Sequence, residues 1–164
     1  MLVLFGLAAV ASADGGCEPG GGADADTDGE FDLDFSDDGV PTCDGVVVVE
    51  IGSGTVRVPG DTSLFGSSES AACDMRAGDG DDEAVTALQV ALVRCNGQNI
   101  AVDGDYGPET TRAVTNVQQQ HGIGADGAYG PATLQVMGWP RTGSGGSDCV
   151  TGVSAGSAVV DEEF

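Results

Sequence analysis

Asp103-Gly104-Asp105-Tyr106-Gly107-Pro108-Glu109-Thr110 is followed 23 residues later by Asp126-Gly127-Ala128-Tyr129-Gly130-Pro131-Ala132-Thr133, identical at six of eight positions. Each element of the repeat has a local physical meaning. Asp-Gly makes a tight turn, because Gly accepts positive φ at no steric cost. The Tyr can bury its ring and keep its hydroxyl wet. Gly-Pro hands the chain to a helix, since Pro at the first helical position loses an N–H that has no partner there anyway. Two such turn-plus-helix units cannot bury their apolar faces alone, so they should pack on each other and on the helix before them.

That preceding helix is read from Ala84 to Cys95, where Val85, Leu88, Leu92 and Cys95 return to one face. Asp81, Asp82 and Glu83 sit at its start, where the dipole favours anions, and Asn96-Gly97 stops it. The second helix is predicted from Pro108 to about His121, stopped by Gly122, and the third from Pro131 to Met137, stopped by Gly138. Upstream, Val46–Val58 has two β-branched runs around Gly52-Ser53-Gly54, a hairpin signal. A lone hairpin is marginal in water and should dock on the helices.

The rest of the chain is dominated by charge. Across 164 residues there are 27 acids, five Arg and no Lys, for a net charge of −22. With no basic cluster to displace phosphate counterions, nucleic acid and anionic membranes are excluded as partners. Eleven of the acids lie in 14–44, which we read as a disordered, self-repelling Gly/Asp linker. Leu2–Ala13 is an apolar stretch ending in Ala11-Ser12-Ala13, the pattern of a signal peptide cut before Asp14, although no Lys or Arg precedes it. The expected organisation is therefore a signal peptide (1–13), the linker (14–44), a hairpin segment (45–72), a helical domain (73–140) and a flexible tail (141–164).

Around the repeat, the chain resembles the small type 1 peptidoglycan-binding domain of bacterial cell-wall hydrolases and secreted wall proteins. Its pattern runs roughly V-x-x-L-Q-x-x-L, then V-D-G-x-[FY]-G-x-x-T-x-x-A-V-x-x-[FV]-Q-x-x-x-G-[IL], then D-G-x-[FY]-G-x-x-T. Here these stretches are Val85–Leu92, Val102–Gln118 with His121-Gly122-Ile123, and the second Asp-Gly turn. The entry to the first helix is longer and more acidic than usual, and Val117 replaces the usual Phe. The resemblance implies a mainly α fold: a three-helix bundle with two Asp-Gly turns, plus the hairpin. It implies binding of peptidoglycan, as glycan strand or stem peptide, in a groove beside the turns. Carried over, that points to Asp103, Tyr106, Gln118, Asp126 and Tyr129, although both Asp could equally be turn builders. Trp139 reads as a lid on the bundle rather than a sugar platform.

Five Cys in an exported chain imply disulfides and one leftover thiol, taken to be Cys17. The spacing of Cys73 and Cys95 looks like a staple of actinobacterial members of the family; Cys43 with Cys149 would then tie hairpin and tail to the bundle. No cofactor or metal is expected. There is one His and no C-x-x-C, and any Ser-based triad would have to use that one His. Asp24, Asp26 and Asp28 open like a calcium loop, but Phe35 stands where its bidentate Glu should be. The expected protein is a monomeric, secreted, non-catalytic wall binder. Two other readings stand: the same fold recruiting or regulating a separate cell-wall hydrolase, and a fragment of an enzyme whose catalytic part lies elsewhere.

Overall fold

The computed structural model describes residues 39–62, 70–143 and 148–156. The signal peptide, most of the linker with Cys17 and the calcium-like loop, and the last residues of the tail lie outside them. The elements run β1 (Gly45–Ile51), β2 (Gly54–Gly60), α1 (Asp82–Cys95), α2 (Pro108–His121), α3 (Pro131–Val136), β3 (Trp139–Gly143) and β4 (Cys149–Val150). The four strands form one antiparallel sheet in the order β1-β2-β3-β4. There is thus more sheet than a mainly α reading allows.

The hairpin forms because one face of each strand is uniformly β-branched. Val47 pairs with Val58 and Val49 with Val56 across the ladder, and all four are buried. Gly52 takes φ 64° in the tight turn between them. α1 starts where Asp81 accepts a hydrogen bond from the Glu83 N–H (2.8 Å) and turns Ala84, Val85, Leu88 and Leu92 inward. α2 opens on Pro108 and closes on left-handed Gly122 (φ 69°). α3 ends one residue before the predicted Met137, which is already extended (φ −77°, ψ 159°) as the chain enters β3.

Within the segment read as a flexible tail, the described residues 141–143 and 148–156 lie against the fold. β3 pairs with the turn end of β2, Val153 is fully buried, and the Gly152 N–H donates to the Gln135 carbonyl of α3 (3.0 Å). Asn96, just after α1, clamps the start of β3: its amide donates to the Gly138 carbonyl (2.9 Å) and accepts from the Gly138 N–H (2.8 Å). Trp139 is fully buried, donates to the Leu134 carbonyl (2.9 Å), and meets Tyr129 edge-on at 6.1 Å. It is a core residue. Residues 41–43, placed in the linker by composition, are also tied in: the Cys43 N–H donates to the Asp74 carbonyl (3.0 Å) and the Asp74 N–H to that of Pro41 (2.9 Å).

The disulfides join Cys43 to Cys73 and Cys95 to Cys149, not Cys73 to Cys95 and Cys43 to Cys149. Helix length gives the reason. A helix of 14 residues is about 20 Å long. Cys43 and Cys73 lie at its N-terminal end, where the Asp81 N–H donates to the Cys43 carbonyl (3.3 Å), and Cys95 lies at its C-terminal end. Each bridge closes a long loop, of 30 and 54 residues, worth roughly 3–4 kcal/mol in the chain-entropy account. Mass mapping of non-reduced digests should return these two pairs; a Cys73–Cys95 peptide would refute this pairing.

Tyr129 is fully buried and its hydroxyl has no hydrogen-bond partner among the described residues. Its counterpart Tyr106 donates to the Gly127 carbonyl of the next turn (2.9 Å). After Tyr129 there is no third turn, and Trp139 closes the stack instead. The orphan hydroxyl is the residue of ending a repeat. Removing an unsatisfied buried polar group relieves its desolvation cost. Tyr129→Phe should therefore leave stability unchanged or raise it by up to about 1 kcal/mol; a loss of more than that in denaturant unfolding would show the hydroxyl to be bonded.

Candidate functional site

Two buried glutamines hold the repeat turns. Gln89 on α1 and Gln118 on α2 are 1% and 2% exposed. The Gln89 amide N–H groups donate to Asp103 Oδ1 (2.8 Å), the Asp105 carbonyl (3.0 Å) and Thr110 Oγ1 (3.1 Å). Its oxygen accepts from the N–H groups of Asp103 and Gly104, both at 2.9 Å. Gln118 repeats the arrangement one unit on. It donates to Asp126 Oδ1 (2.8 Å), the Ala128 carbonyl (2.9 Å) and Thr133 Oγ1 (3.1 Å), and accepts from the Gly127 N–H (2.9 Å). Each helix thus grips the following turn and the first residues of the next helix through one neutral amide.

The turn glycines are needed twice over. Gly104 and Gly127 have φ of 77° and 74°, and each turn lies against the helix before it. A Cβ on Gly127 would come within 2.8 Å of both Thr111 Cγ2 and Thr115 Oγ1.

Four of the five predicted binding residues therefore have structural work. Asp103 and Asp126 are exposed, yet each also accepts from a backbone N–H two residues on, Asp105 at 3.1 Å and Ala128 at 3.0 Å. The Gln89 hydrogen bond, helped by the backbone, holds the Asp103 carboxyl below its ordinary range. Gln118 is the clamp, and Tyr106 joins the two turns. Burial pushes the phenols of Tyr106 and Tyr129 well above the ordinary tyrosine range. Neither ring offers an exposed face to a ligand.

The groove that does open beside the repeat lies at the second turn. It has a volume of about 290 Å³. Asp126, Ala128 and Ala132 line it from the repeat, and Asp74 and Arg76 line it from the segment before α1. That segment is held against the turn by two backbone bonds between Met75 and Tyr129, of 2.9 and 2.8 Å. Arg76 donates to Asp74 Oδ2 at 3.0 Å; its side chain is 53% exposed and that of Asp74 11%. The sequence reading did not single out these two charges. Their one signal is an Asp-Met-Arg triplet with its apolar residue between two charged ones, next to Cys73.

A hollow of similar size, about 300 Å³, runs along the outer flank of α1. Val46, Ala87, Val90 and Pro140 make it mostly apolar, and Arg57, Glu83 and Arg94 also line it. A smaller one, about 110 Å³, sits at the first turn among Asp103, Asp105 and Glu109. We place the candidate site at the second turn, where charges of both signs meet small side chains. Among the described residues no group of three or more His, Cys, Asp or Glu could hold a metal ion, and no helix is long and apolar enough to cross a membrane.

Residues 81–137, about a third of the chain, match the family model of the peptidoglycan binding domain. The match runs from the α1 cap through α3 and contains both glutamine clamps. Among solved structures, the chain is similar to a peptidoglycan-binding protein from Clostridioides difficile in complex with glutamine hydroxamate. The identity is 25%, the TM-score 0.36, and the alignment covers 48% of this chain and 55% of that one. The chain therefore spans about half the length of that structure. No curated protein matches the chain.

The clamps make a sharp stability prediction. Gln118→Glu keeps size and shape but places an acceptor where the N–H groups met Asp126 and Ala128. It should cost about 3 kcal/mol or more in denaturant unfolding, from a buried charge and lost donors. A variant as stable as the parent at pH 7 would mean that the amide does not organise the turn.

Proposed function

We propose that this protein is a secreted, non-catalytic binder of bacterial cell-wall peptidoglycan, working as a monomer. The observation that carries the reading is the groove at the second Asp-Gly turn, opening on a helical unit that matches the peptidoglycan binding domain family. Two disulfides suit an oxidising, extracellular location at the wall. The single His, His121, is exposed at the end of α2, which supports binding rather than acid–base or triad chemistry in this part of the chain.

A second reading, a module that docks a separate cell-wall hydrolase, draws on the apolar hollow along α1. Blocking each groove in turn separates the two. Ala132 and Ala87 each line one of them. Neither belongs to a glutamine clamp. In co-sedimentation of the full chain with purified sacculi, Ala132→Trp should weaken binding at least tenfold with an unchanged melting temperature. Ala87→Trp should leave it intact. No sedimentation of the parent protein at any salt concentration would overturn the wall reading.

A further inference from the structure

We infer that the groove reads the peptide of the wall rather than its sugar, and that Arg76 recognises a carboxylate on that peptide. This rests on the peptidoglycan reading above and commits it to one moiety. The first argument is the placement of the aromatic rings. Sugars are gripped by stacking their C–H faces on exposed rings, and Tyr106, Tyr129 and Trp139 are 2%, 0% and 0% exposed. These are all the Phe, Tyr and Trp among the described residues. None can serve as a stacking platform.

The second argument is what the groove offers instead. A guanidinium is a planar fork whose donors match a carboxylate two at a time. Arg76 lines the groove with more than half of its side chain exposed. Asp74, nearly buried at 11%, accepts from it at 3.0 Å and so orients it. A carboxylate set this deep is better placed to position Arg76 than to meet a ligand itself. Asp126, exposed on the repeat side of the same groove, supplies the opposite charge. One cation and one reachable carboxylate fit a short peptide carrying both a free carboxylate and a free amine. Ala128, Gly130 and Ala132 keep that side low enough for a peptide backbone to approach.

Arg76 is a specificity residue that lies outside the matched span of 81–137. The test uses the full chain and three probes: intact sacculi, glycan strands stripped of peptide by an amidase, and a synthetic stem pentapeptide with either a free or an amidated C-terminus. We expect binding to sacculi and to the free-acid peptide. Binding to the amidated peptide should be at least tenfold weaker, and stripped glycan should compete for nothing. Arg76→Ala should erase the preference for the free acid, and Arg76→Lys should restore part of it, with melting temperatures showing that both variants fold. Equal affinity for acid and amide, or undiminished binding to stripped glycan, overturns the inference while leaving wall binding in place. No binding to sacculi overturns the wall reading, and this inference with it.

Discussion

A primary amide is the smallest neutral side-chain group that donates and accepts in one plane, and the domain is organised around two of them. Gln89 and Gln118 are almost completely buried, yet their polar atoms are used, because each faces an Asp-Gly turn that exposes backbone donors and acceptors to it. Leu in their place would strand those backbone groups, and Glu would set a charge against a carboxylate. The turns need Asp to gather N–H groups from both sides, and Gly because the chain lies against a helix at positive φ. Once the amides are satisfied, the start of α2 and the start of α3 are set, since the Thr of each helix closes the same network. Everything downstream, including the groove, inherits its position from these contacts.

That dependence explains what could be read from the chain. The helices were legible because they are local: a 3.6-residue period, Pro at two entries and Gly at the exits. β3 was not, because Trp-Pro-Arg-Thr-Gly shows no alternation and contains a Pro, which lacks a ladder donor. It becomes a strand only because Asn96 and the β2 edge receive it. The disulfide pairing was hidden for a related reason. It depends on which end of α1 each Cys meets, and no spacing encodes that.

The candidate site was half legible. Asp103, Asp126, Gln118 and both tyrosines do come together around the turns, but mostly as the apparatus that builds them. The same chemistry that suits a side chain for binding, a carboxylate or an amide rich in hydrogen-bond capacity, suits it for bracing a turn. Sequence cannot distinguish the two until burial is known. Asp74 and Arg76 were invisible because three residues carry no period. They matter only because Met75 is bonded to Tyr129, 54 positions later.

The groove is assembled from two parts with separate origins in the chain. One side belongs to the repeated unit. The other is held by the ladder to Tyr129 and by the Cys43–Cys73 bridge, whose second cysteine immediately precedes Asp74. Thiols persist in the cytosol and pair outside it. The repeated unit contains neither cysteine of that bridge, whereas the side that carries Arg76 is locked down only once Cys43 and Cys73 have paired. Oxidation is thus the last step in finishing the surface, since the redox state of one bridge decides whether both sides of the groove are held.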